Sequence, residues 1–241
     1  MADDRTPAPA TRSDMPVSRR AEIDAFLDKA RAMAAARPAA GRGRLIFALD
    51  ATMSRQPTWD IACALQADMF RAAAITGGLD VQLVYYRGLL ECRASRWISD
   101  AAQLAALMER IDCRGGNTQI GKVLSHARRE NEAAKVRALV FVGDAMEEAL
   151  DDLCARAGEL GLVGVPAFVF QEGDDPVAAR AFREIARLSG GAYSRFSPGS
   201  ARELADLLRA VAAYAAGGYA ALEQAPASAA ATRLLAQLKP S

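Results

Sequence analysis

The sequence predicts an α/β domain: a doubly wound, mostly parallel central sheet with one antiparallel edge strand and helices on both faces. Three observations predict it. Residues 45–49, 138–142 and 165–170 form short apolar runs, the pattern of strands buried on both faces of a parallel sheet. Between them lie longer stretches with apolar residues at helical spacing, and strand alternating with helix implies parallel pairing through crossovers. Two of the runs also lead into an aspartate at the carboxyl end, Asp50 directly and Asp144 through Gly143. In open sheets of this kind that end is where ligands bind.

Each element follows from its own residues. Residues 1–18 are rich in Pro, Thr, Ser and charge and read as disordered. Residues 19–36 carry Ile23, Phe26, Leu27, Ala30, Met33 and Ala34 on one helical stripe, read as packing on the main domain or as a docking helix for a partner. Pro38, Gly41 and Gly43 close this helix and linker, residues 19–43, ahead of the first strand. Trp59, Ala62, Leu65, Met69 and Phe70 line a helix that stops at Gly77 and Gly78. Residues 81–86 read as a strand, and Gly88 before residues 90–93 points to a hairpin, the source of the antiparallel edge.

Ser99 and Asp100 cap a helix carrying Leu104, Leu107, Met108 and Ile111. Gly115 and Gly116 make a tight turn, after which Thr118 opens a helix through Ile120, Val123, Leu124 and Ala127. Beyond Asp144 come a helix through Leu150, Leu153 and Leu160, the strand at 165–170, and a helix at 182–188 ending at Gly190 and Gly191. Residues 192–196 read as a last short strand and 204–215 as the closing helix. The tail, residues 220–241, is Ala-rich. Its Leu234, Leu235 and Leu238 have helical spacing in a stretch too short for a stable isolated helix, so it reads as disordered or loosely packed, or as a partner-binding peptide.

Composition narrows the function. Lys and Arg number 30 against 29 Asp and Glu, which removes the broad positive field of a nucleic-acid binder. No apolar stretch is long enough to span a membrane, and the first residues lack the basic start and apolar centre of a signal peptide. Cys63, Cys92, Cys113 and Cys154 form no short paired spacing and read as free thiols in a reducing cytoplasm.

The residues that carry chemistry are oxygens. Asp50, Thr52 and Ser54 offer a carboxylate and two hydroxyls at i, i+2 and i+4. Hard donors without nearby Cys or His favour a hard cation, magnesium first and manganese as its alternative. Thr118 and Asp144, from two distant segments, are expected to reach the same crevice.

On these residues the chain resembles the von Willebrand factor type A domain, whose metal-ion-dependent adhesion site uses an Asp-x-Ser-x-Ser turn, a distant Thr and a distant Asp. Asp50, Thr52 and Ser54 match the first turn, Thr118 the second segment and Asp144 the third, and the resemblance covers residues 44–219. Thr52 stands where Ser is usual, Gly143 where a Thr precedes the last Asp, and Ala145 where Gly often follows it. None of these changes removes one of the five donor side chains. The resemblance implies a Rossmann-like sheet, direct binding of the cation by the hydroxyls, and aspartates acting largely through water. A cation held mainly by neutral hydroxyls keeps much of its charge and attracts an acidic residue of a partner protein.

The resulting expectation is a cytoplasmic, metal-dependent protein-interaction module rather than an enzyme, with no nucleic acid, membrane or small-molecule substrate. Kinship with intracellular relatives implies an adaptor for an ATPase or chaperone-like complex. Arg55 and Arg114 flank metal segments and are read as receiving the acidic partner or as ordinary surface charge. Glu147 and Glu148 are read as acidic residues favouring the start of a helix, or as groups bordering the metal and tuning partner access. Two other classes stay open: a metal-dependent hydrolase or phosphotransferase, and a structural domain with a vestigial metal site. Hydrolysis calls for a general base or second metal. The sole histidine, His126, lies on a helix beyond Thr118 and reads as a packing or surface residue. No Gly-x-Gly-x-x-Gly follows a strand, which disfavours a dinucleotide site.

Overall fold

A computed structural model describes residues 42–74, 78–198, 200–225 and 228–238. The expectations for residues 1–18 and for the helix and linker at 19–43 fall, up to Gly41, outside the described residues. Among the described residues six strands form one sheet: β1 (Gly43–Asp50), β2 (Leu79–Arg87), β3 (Glu91–Ala94), β4 (Ala138–Gly143), β5 (Ala167–Glu172) and β6 (Ala192–Phe196). Their order is β3-β2-β1-β4-β5-β6, and every pairing is parallel except β2 with β3, the hairpin at the edge. The fold is therefore the doubly wound, mostly parallel sheet with one antiparallel edge strand that the sequence predicts.

The helices are α1 (Gln56–Ala74), α2 (Ala101–Met108), α3 (Ile120–Ala133), α4 (Leu150–Leu162), α5 (Pro176–Ser189), α6 (Ala201–Glu223) and α7 (Ala229–Leu235), with a short 3-10 turn at Met53–Arg55. Alternate residues of β1 supply two cores, as the period of a strand requires. Leu45, Phe47 and Leu49 pack with α1, α2, α6 and α7, whereas Ile46 and Ala48 pack with α3, α4 and α5. Local chemistry fixes the helix ends. Asp100 accepts the Gln103 N–H at 3.0 Å at the start of α2, and Asp175 accepts from Val177 and Ala178 at the start of α5. Gly190 ends α5 in the left-handed conformation that a residue with a Cβ adopts at a cost.

The tail forms the short helix that its leucine spacing allows, but it is packed rather than disordered or loose. Residues 229–235 form α7, and Leu234 is fully buried in the core shared by α1 and α6. A helix of seven residues gains little by itself in water, but here it needs no stability of its own because burial of Leu234 and Leu238 supplies it. The Gln237 amide accepts the Tyr193 N–H and donates to the Tyr193 carbonyl, both at 2.9 Å, and so occupies the outer edge of β6. Among the described residues no helix is long and apolar enough to cross a membrane.

Candidate metal centre

The strand order places the site. From β1 the chain turns to β2 and β3 on one side, and it returns to the other side of β1 as β4, so the crevice beyond the carboxyl ends of β1 and β4 is the switch point of the sheet. Leu49 is in register with Val142, which sets Asp50 and Asp144 on neighbouring strand ends. Asp50 is also in register with Tyr86 on β2, and the two side chains turn to the face that Ala48 and Val84 share.

Asp50 is 3% exposed, and its Oδ1 accepts the Thr52 N–H at 2.7 Å, which folds the start of the loop into an Asx turn. Burial pushes the Asp50 carboxyl above its ordinary value. Hydrogen bonding by the backbone and side chain of Thr52 pulls it back, Asp144 raises it further, and Arg55 lowers it. Thr52 is buried beside it, and Ser54 lies in the 3-10 turn with its side chain outside the description.

The second segment is tied to the first by the backbone: Arg114 N–H donates to the Ala51 carbonyl at 3.0 Å. Gly116 passes so close to the β2–β3 turn that a Cβ there would lie 2.1 Å from the Gly88 oxygen, which explains the glycine. Asn117 then donates to that same oxygen at 3.2 Å. Thr118, buried at the entry to α3, accepts the Glu147 N–H through its hydroxyl and donates its own N–H to Glu147 Oε2, both at 3.0 Å.

Glu147 and Glu148 serve a different helix from the one expected. The helix after β4 begins only at Leu150, so neither residue lies in its first turn. Glu148 instead crosses to α3 and accepts the N–H groups of Ile120 at 2.5 Å and Gly121 at 2.9 Å, where the Gln119 side chain makes no cap. Both glutamates thus hold the loop that carries Thr118.

Arg55 also lies elsewhere than on the surface. It is 2% exposed, bonded through Nη1 to Glu172 Oε2, and its Nε stands 3.9 Å from Asp144 Oδ1. Glu172 accepts the Thr58 hydroxyl as well. Burial pushes the guanidinium below its ordinary value, while Asp144 and Asp50 raise it. Arg114, in contrast, is exposed, with Asp112 at 3.9 Å. His126 hydrogen-bonds Gln82 at 2.8 Å, four residues down β2 from Tyr86, which is a packing role.

Among the described residues there is no cluster of three or more His, Cys, Asp or Glu that could hold a metal. The candidate donors that the sequence singles out are three hydroxyls and two carboxylates, Asp50 and Asp144, hard oxygens whose chemistry fits a hard cation. Among the described residues the two buried side-chain polar atoms without a hydrogen-bond partner are Tyr86 Oη and Arg55 Nε. Both lie near the two aspartates: Tyr86 is close enough to Asp50 for that carboxylate to be, after burial, the main influence raising the phenol, although its Oη falls short of hydrogen-bond geometry, and Asp144 is the main charge acting on Arg55. Buried groups left unsatisfied call for a physical explanation, and an ion or water beside them is one. Sequence reading omitted Tyr86, Thr58 and Glu172. Glu172 had a readable signal, since it ends an apolar strand just as Asp50 does.

Strand order, one antiparallel edge and a crevice beyond β1 and β4 define a doubly wound domain with an opening at its switch point. The chain has the von Willebrand factor type A fold. It is similar to an aerotolerance-related membrane protein from Bacteroides fragilis NCTC 9343, with 20% identity over 70% of this chain and 98% of that one, and a TM-score of 0.53. It is similar to the VWA domain of SpRpn10, with 14% identity over 69% and 95% of the two chains and a TM-score of 0.55. The pilus adhesin SpaC from Lactobacillus rhamnosus GG aligns at 10% identity and a TM-score of 0.56, over 74% of this chain and 31% of that one. No protein-family model matches the sequence, and no curated protein matches it.

Proposed function

We propose that this domain is a cytoplasmic protein-interaction module that holds magnesium, or manganese in its place, through Asp50, Thr52, Ser54, Thr118 and Asp144 and uses it to receive an acidic residue of a partner protein. What supports the reading is that Asp50 and Asp144 end neighbouring strands, that the Thr118 loop is tied to both segments through Arg114 N–H on the Ala51 carbonyl and Glu147 N–H on the Thr118 hydroxyl, and that two unpartnered polar atoms, Arg55 Nε and Tyr86 Oη, lie near the two aspartates. A bound divalent cation would supply Lewis acidity toward an incoming carboxylate. The chain's own residues do the rest. The Asx turn orients Asp50, the Glu147 backbone orients the Thr118 hydroxyl, and Arg114 offers an exposed positive charge to an acidic partner. A hydrolytic role is disfavoured by His126, which is engaged with Gln82 rather than aimed at the crevice. The adaptor role in an ATPase-driven or chaperone-like assembly belongs to the same proposal and rests on the fold.

The test is thermal denaturation of metal-stripped protein with and without millimolar magnesium, beside Asp50→Ala. A ligand at about a hundred times its Kd adds about 2.7 kcal/mol, which for a domain of this size raises Tm by about 5–10 °C. A rise in wild type that is absent from Asp50→Ala supports the site, and partner capture in magnesium against chelator then follows. No rise in wild type overturns the metal reading and leaves the fold.

A further inference from the structure

The proposed site contains a cation of its own. Arg55 follows the Asp50-Thr52-Ser54 turn directly, and the 3-10 geometry folds it inward, behind the crevice. One edge of its guanidinium is committed, with Nη1 on Glu172, and Glu172 is in turn held by the Thr58 hydroxyl. The other edge is not, since Nε has no hydrogen-bond partner and lies 3.9 Å from Asp144 Oδ1, beyond hydrogen-bond reach but within that of an ion pair. Asp144 is the more open of the two aspartates, with 32% of its side chain exposed. It faces a buried guanidinium on one side and the crevice on the other. A fixed positive charge in a water-poor setting repels a second cation far more strongly than it would in solvent.

We propose that Arg55 sets the metal affinity of this site by competing with the cation for Asp144, and that Glu172 limits this competition by binding the guanidinium. The inference rests on the magnesium reading above. It makes loading conditional: the cation is held weakly until a partner's carboxylate adds negative charge, so metal and acidic partner each strengthen the binding of the other.

The test is titration calorimetry of the full chain with magnesium chloride, comparing wild type, Arg55→Met, Glu172→Gln and Arg55→Lys. Arg55→Met is expected to tighten the magnesium Kd by about tenfold or more, from the removal of one nearby unit charge. Glu172→Gln is expected to weaken it severalfold, and Arg55→Lys to stay close to wild type. Arg55→Met and Glu172→Gln break the same ion pair, so a merely structural role moves both affinities in one direction, and that result overturns the proposal. Binding in wild type with the same Kd in Arg55→Met keeps the magnesium site and overturns the role of Arg55. Binding in Arg55→Met alone supports it. No binding in any of the four removes the magnesium reading, and this inference with it. Should Arg55→Met fail to fold, an unchanged Kd in Glu172→Gln is itself enough to overturn the proposal.

Discussion

Thr118 and Glu147 clasp each other: the Thr118 hydroxyl accepts the Glu147 N–H while the Thr118 N–H donates to the Glu147 carboxylate, both at 3.0 Å. The pair joins the loop before α3 to the loop after β4, the two segments that carry Thr118 and Asp144. The Thr118 hydroxyl is therefore held in place without help from a metal, and on the magnesium proposal little ordering remains to oppose binding.

Glu147→Ala keeps the backbone N–H that Thr118 accepts but removes the carboxylate. The Thr118 N–H then loses its partner, the loop loosens, and magnesium affinity falls severalfold in calorimetry. Unchanged affinity in both Glu147→Ala and Glu148→Ala would show that neither glutamate supports the site.

Glu148 is the N-terminal cap of α3 although it lies 28 residues beyond Ile120. Its replacement by Ala strands two N–H groups at a helix start and is expected to cost about 1–2 kcal/mol. Urea denaturation measures this cost, and a loss near zero would mean that water replaces the carboxylate freely.

Asp50 gives metal-free stability a pH dependence. Burial raises its folded carboxyl above the ordinary value of 3.8, so its favourable contribution is complete below that value and is lost as pH rises through the folded pKa. Asp50→Asn keeps an acceptor for the Thr52 N–H and removes this titration. The variant is therefore expected to gain stability relative to metal-stripped wild type as pH rises from the acid range toward neutrality. Parallel stability curves for the two proteins across that range would contradict the assignment.

Tyr86 Oη is buried without a hydrogen-bond partner. In the metal-free protein Tyr86→Phe removes a desolvated hydroxyl and is expected to leave stability unchanged or raise it by up to about 1 kcal/mol. A loss of more than about 2 kcal/mol in thermal denaturation would mean that the hydroxyl is hydrogen-bonded in solution.

The C-terminal segment protects the β6 edge through the Gln237 amide on Tyr193. Deleting residues 228–241 uncovers both polar groups of Tyr193 and the apolar bed of Leu234, an edge open to pairing with another chain. The deletion is expected to self-associate in light scattering, whereas Gln237→Ala, which keeps Leu234, is expected to stay closer to wild type. Leu234→Ala should cost about 2–5 kcal/mol.

How much of this was legible varies with the kind of interaction. The strands at 45–49 and 138–142 were readable because apolar runs that end at an Asp are local signals. The hairpin was readable from Gly88, and the end of α5 from Gly190. The tail was not, because a seven-residue helix has almost no intrinsic stability and only the packing of Leu234 and Leu238 decides for it. The destinations of Glu147 and Glu148 were misplaced for a related reason: acidic residues near a helix start suggest its own dipole, and the helix that needed a cap was a different one.

The sequence by itself determined the elements of the central domain, the sheet type and the oxygen-bearing strand ends, because hydrophobic period and turn chemistry act over a few residues and leave their mark in the local pattern. Tertiary structure alone decided that Arg55 lies buried against Glu172, that its Nε is left facing Asp144, and that Thr118 is held by Glu147. Each of these pairs joins segments about thirty or more residues apart. The strand order and crossovers bring them together, and burial then makes their charges count, because water no longer screens them.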